Sequence, residues 1–112
     1  MNQNNDNLIP IIVSNSYIKK YYMDPRLEKL PREVKDTLKI TFVKLTEEVG
    51  GVLEVIFDNT NYEIFTRIVK NDDDLAFDEI NAEYKLSKIE KENEKLFDDI
   101  ATFCKFKFNG LV

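Results

Sequence analysis

A chain of 112 residues with 43% hydrophobic and 33% charged side chains, three glycines and three prolines has the size and make-up of one ordered domain, which excludes a disordered or multidomain chain. The net charge of −5 is unevenly spread: residues 1–49 hold 8 basic and 7 acidic side chains, residues 50–112 hold 8 basic and 14 acidic. No segment concentrates the cations that displace counterions from a polynucleotide, and no run reaches the ~18 apolar residues that span a bilayer, so neither nucleic acid nor membrane is an expected partner.

The first seven residues contain four Asn, one Gln and one Asp and predict a disordered tail, leaving residues 8–112 as the domain. They lack the basic and apolar regions of a secretory leader, and a lone Cys104 forms no internal disulfide; both point to the cytoplasm. Leu8 to Val13 is β-branched and reads as a strand, placed at an edge or at its own beginning by Pro10. Ser14 to Ser16 is turn-forming, Tyr17 to Met23 is aromatic and basic without a clear period, and Asp24-Pro25 reads as a turn. Pro31 and Glu33 suit the first turn of a helix, and Val34, Leu38, Phe42, Leu45 and Val49 share one stripe of it. That helix spans about 18 residues, roughly 27 Å. Gly50-Gly51 ends it, with Gly50 in a left-handed cap.

Val52 to Phe57 and Tyr62 to Val69 flank Asp58-Asn59-Thr60-Asn61 and predict a β-hairpin. Its faces are not cleanly divided: Leu53, Val55 and Phe57 share one side, while Val52 and Ile56 lie on the other with Glu54, so one face should meet the helices and the other be only partly solvated. Residues 75–82 fit either a helical turn or a short strand. A second helix is expected over 83–104, and Lys105 to Phe108, alternating with period two, fits either its continuation or a terminal strand. The order β-α-β-β-α predicts an α+β fold: a small antiparallel sheet with a central hairpin, covered by two helices.

Chemistry is constrained by what is missing. The chain has no histidine, which removes the readiest proton-transfer group near neutral pH and the commonest zinc ligand, so no enzyme, metal or cofactor is expected. Asp72, Asp73, Asp74, Asp78 and Glu79 form the densest acidic cluster, yet a calcium loop starting at Asp72 would place Phe77 where glycine is required; the cluster reads as a solvated, helix-capping loop. Tyr17, Lys19, Lys20, Tyr21 and Tyr22 interleave rings and cations as a single-strand binder does, though buried tyrosine rings are the commoner meaning. Cys104 lies among apolar residues and reads as an inert packed thiol.

The second helix carries the most regular pattern. Ala82, Leu86, Ile89, Asn93, Leu96, Ile100 and Phe103 alternate steps of four and three, the seam of a coiled coil, with Asn93 at a core position and Lys85 and Glu90 on its flanks. A helix lying on its own sheet produces nearly the same stripe, so Leu86, Ile89, Asn93, Leu96, Ile100 and Phe103 are either an interface for a homodimer or part of the core.

Ser14-Asn15-Ser16-Tyr17 with Lys20-Tyr21-Tyr22, Leu30-Pro31 with Val34-Lys35, and Glu48-Val49-Gly50-Gly51 together resemble a family of small proteins, a domain of unknown function, from clostridial-type Firmicutes. The resemblance covers residues ~12–108 and implies no catalytic residue; relatives carry a glycine near Ile80-Asn81-Ala82 that this chain lacks. The leading expectation is a small cytoplasmic protein–protein interaction or regulatory module, with self-association through helix 83–104 as the open alternative to intramolecular packing of that stripe. The alternative, from a different class, is a small-molecule or metal-binding domain with a pocket between helix and sheet rimmed by acidic residues 72–79.

Overall fold

The computed structural model describes residues 7–111. In chain order these form strand β1 (Leu8–Asn15), strand β2 (Lys20–Met23), a 3-10 turn (Pro25–Leu27), helix α1 (Arg32–Val49), strands β3 (Val52–Asp58) and β4 (Glu63–Val69), and helices α2 (Glu79–Glu92) and α3 (Glu94–Lys107). The expected α+β fold is present, as one antiparallel sheet of order β2-β1-β3-β4. Of the expected N-terminal tail, residues 1–6 lie outside the described residues, whereas the Asn7 carbonyl accepts a 2.8 Å bond from the Asn59 amide.

Two details differ from the expected element order, and a third resolves an alternative that the sequence left open. Tyr17 to Met23 contributes a fourth strand, β2, paired through Ile12–Met23 to Asn15–Lys20 after a tight turn at 16–19. Its four residues have too short a period to be read alone; they become a strand because β1 satisfies their backbone groups. Second, the helix expected over 83–104 starts earlier, at Glu79, and breaks at Asn93 (φ −121°, ψ 26°), so three helices cover the sheet rather than two. Third, Lys105 to Phe108, which fitted either helix or strand, continues the helix: α3 runs to Lys107, and the Phe108 amide bonds the Cys104 carbonyl at 2.8 Å.

The stripe of α1 buries Leu38, Phe42 and Leu45, with Thr46 beside them and Val34 and Val49 packed at its ends. Gly50 ends the helix at φ 81° and ψ −171°, a glycine-only region rather than a left-handed cap, and its amide still bonds the Thr46 carbonyl at 2.8 Å. On the sheet, Ile9, Ile12, Leu53, Val55, Phe57, Ile64 and Ile68 point to the side where α1, α2 and α3 pack. A bulge between Pro10 and Ile12 brings both Ile11 and Ile12 into the core. Phe42 stacks on Phe97 of α3 with centroids 6.0 Å apart, and Phe57 meets Phe108 at 5.5 Å, which ties the last helix to the first and to the sheet.

All three helices therefore lie on one face. The strand residues of the other parity, including Val13, Tyr22, Val52, Ile56, Phe65 and Val69, belong to no part of that core.

Candidate functional site

The residues of the regular helical stripe are drawn inward. Leu86 and Ile100 are core residues, and Ile89, Leu96 and Phe103 pack against that core. Asn93, half-buried, donates its side-chain amide to the Ile89 carbonyl at 2.9 Å, an i to i−4 bond that competes with regular helix at the break. The flanking charges are also engaged within the chain: Glu90 accepts a bond from the Thr66 hydroxyl, and Lys85 lies 4.0 Å from Glu48. A straight seam from Ala82 to Phe103 is thus not displayed by this chain. The steps of four and three persist through the break because α2 and α3 bury residues of the same phase against one sheet.

The apolar surface left open is on the sheet. Cross-strand rows on its helix-free face run Tyr22–Val13–Glu54–Arg67, Pro10–Ile56–Phe65 and Asn15–Val52–Val69. None of these rows belongs to the core cluster under the helices, although Phe65, on the edge strand, also borders a shallow pocket with Glu90, Lys91 and Glu94 of α2 and α3. Tyr22 is 47% exposed, Phe65 38% and Val69 45%, with Ile56 only 2% exposed between Pro10 and Phe65. Glu54 and Arg67 pair at 2.6 Å in the middle of this face. The signal for it lay in the sequence as the mixed polarity of Val52, Glu54 and Ile56; what the sequence lacked was which side the helices take.

A concave feature lies between the first hairpin and α1. A cleft of about 620 Å³ separates the β1–β2 hairpin from α1 and is bordered by Lys19, Lys20, Tyr21, Lys39 and Glu47. The acidic residues 72–79, expected as the rim of such a pocket, have no part in its wall. Asp74 instead accepts the Tyr17 hydroxyl at 2.6 Å, which raises the Tyr17 pKa above its ordinary value, and Asp78 caps α2 through the Asn81 amide at 3.0 Å. Among the described residues no three of His, Cys, Asp and Glu gather as a metal-ligand set.

Strand alternation divides the aromatic and basic run 17–22. Tyr21 turns to the core, where its buried hydroxyl has no hydrogen-bond partner among the described residues and burial pushes its pKa up to about 12; Tyr22 turns to the open face. Cys104 is fully buried, and burial, then the negative charge of Asp24, pushes its thiol up to about 12, so the nucleophilic thiolate is suppressed. Among the described residues no helix is long and apolar enough to cross a membrane.

Comparison with known proteins returns no curated protein and no solved structure that matches the chain. A family model does match, across β1 to the end of α3, the stretch that builds the sheet, its helix layer and both surface features. Matched over residues 9–111, the chain belongs to the family of unknown function DUF6145.

Proposed function

We propose that this domain is a small cytoplasmic protein–protein interaction or regulatory module of a clostridial-type bacterium, without catalytic activity, whose docking surface is the helix-free face of its sheet. The observation that carries the reading is that face itself: Tyr22 on β2 and Phe65 and Val69 on β4 are exposed at its two edges, with the apolar Val13, Val52 and buried Ile56 between them, where a one-layer sheet otherwise places polar residues. The missing histidine and the raised pKa values of Tyr21 and Cys104 support a non-enzymatic role.

The proposed occupant is a second copy of the chain. A two-fold axis parallel to the strands, between β3 and β4, lays Glu54 of one copy over Arg67 of the other, Ile56 over Phe65 and Val52 over Val69, because those residues already share rows. The contact is then isologous and sandwich-like, with each charge facing its opposite. Self-association is thereby moved from the 83–104 stripe, which the chain uses internally, to the sheet.

Light scattering tests this directly. The 13.2 kDa chain is expected at twice that mass at high micromolar concentration, and Phe65→Glu is expected at the monomer mass with unchanged circular dichroism. A wild type that stays monomeric, or a Phe65→Glu variant that stays dimeric, would overturn the proposed occupant.

A further inference from the structure

We propose that the cleft between the β1–β2 hairpin and α1 is a binding site for a small organic dianion, of the phosphomonoester class. Its volume of about 620 Å³ falls within the roughly 300–1,000 Å³ usual for small-molecule sites. Three lysines, Lys19, Lys20 and Lys39, border it against one carboxylate, Glu47. None of these three cations is ion-paired among the described residues. A chain of net charge −5 therefore carries a concave site of the opposite sign, which concentrates anions locally.

One wall is held in place before any ligand arrives. Asn15 Oδ1 accepts the amides of Tyr17 at 3.0 Å and Ile18 at 3.4 Å, closing an Asx turn, and the Ser16 hydroxyl donates to the Gly51 carbonyl at 2.7 Å. Lys19 takes the left-handed conformation at φ 54°, uncommon for a residue with a side chain, and is thereby presented at the hairpin tip. The facing wall is the rigid α1, where Lys39 stands with its Nζ 5.7 Å from the Tyr21 ring centroid. Cations on two preset elements lose little freedom on binding an anion between them.

A polynucleotide fits less well, because binding a single strand needs cations and stacking rings on one surface. Here Tyr22, the exposed ring of the hairpin, lies across the sheet from the cleft, and the Tyr17 hydroxyl is held by Asp74 and by the Asn71 amide. The cleft and the open sheet face are on different sides of the molecule, so the two proposals stand or fall separately.

The probe is phenyl phosphate, with phenyl sulfate as a monoanion of similar shape, titrated calorimetrically at constant ionic strength. Saturable binding of phenyl phosphate is expected, about tenfold tighter than phenyl sulfate, and Lys19→Ala and Lys39→Ala are each expected to weaken it by about tenfold, the factor one charge-assisted hydrogen bond supplies. Both side chains are exposed, so the variants should fold; Lys88→Ala, remote from the cleft lining, is the control. Absence of saturable heat, equal binding of the sulfate, or undiminished binding by both lysine variants would overturn the proposal. So would displacement of phenyl phosphate by a single-stranded RNA decamer at a lower molar concentration, which would assign the lysines to a polynucleotide.

Discussion

Asp24 shows how one short side chain joins three segments. Its carboxylate accepts Arg26 Nε at 3.0 Å and Arg26 Nη2 at 2.8 Å, and its Oδ1 also takes the Arg26 amide at 2.8 Å, which caps the 3-10 turn between β2 and α1. The same guanidinium sits 4.1 Å over the Phe108 ring, so the pair anchors the end of the chain as well. The Arg26 hydrogen bonds hold the Asp24 pKa below the ordinary aspartate value despite its burial. A depressed carboxylate pKa contributes stability that is present above the unfolded value and is lost as pH falls through the folded one. Asp24→Asn is therefore expected to cost about 1–3 kcal/mol at neutral pH. The gap to wild type should shrink below the unfolded aspartate value of roughly 3.9. Urea denaturation of both proteins between neutral and acid pH checks this, and a gap that is constant with pH would be against it.

At the scale of elements, the junction of α1 and β3 is the most constrained. Gly50 and Gly51 both hold positive φ, at 81° and 79°, and a Cβ on Gly51 would come within 2.8 Å of the Val69 carbonyl oxygen and 2.9 Å of the Phe77 ring. At Gly50 the neighbour is distant, 3.8 Å to Phe77, so the constraint there is conformational rather than steric. Gly50→Val is expected to lower stability by about 1–3 kcal/mol, the cost of forcing a side chain into glycine-only backbone. An unchanged melting temperature would refute the placement of this turn. The Gly-Gly stop was legible because it followed a clean apolar stripe; the break at Asn93 was not, because a single residue interrupts the helix while the apolar phase continues across it. The polar residue in the seam was visible, but whether it meets a partner or its own backbone depends on what packs beside it. Lys105 to Phe108 stayed open between helix and strand, since four alternating residues are too few to separate the two.

For the whole molecule, the placement of the helices decides where anything else can bind. If association runs through the open sheet face, Asn93→Leu, at a kink packed over the core, is expected to leave the light-scattering mass equal to that of wild type. A change of mass in that variant would return the interface to the helical stripe. Composition, the α1 stripe, the glycine stop and the hairpin were determined by the sequence alone, because each rests on interactions between residues close along the chain: periodic burial, capping and turn chemistry. So was the α+β class, since helical and alternating segments follow one another in readable order. Tertiary structure decided the rest. The pairing that makes β2 a strand, the choice of one sheet face for all three helices, and the meeting of Lys19 and Lys20 with Lys39 around one cleft all join residues far apart in the chain. Such contacts are selected by backbone hydrogen bonding and by the burial of the whole apolar set at once, which no local window of sequence contains.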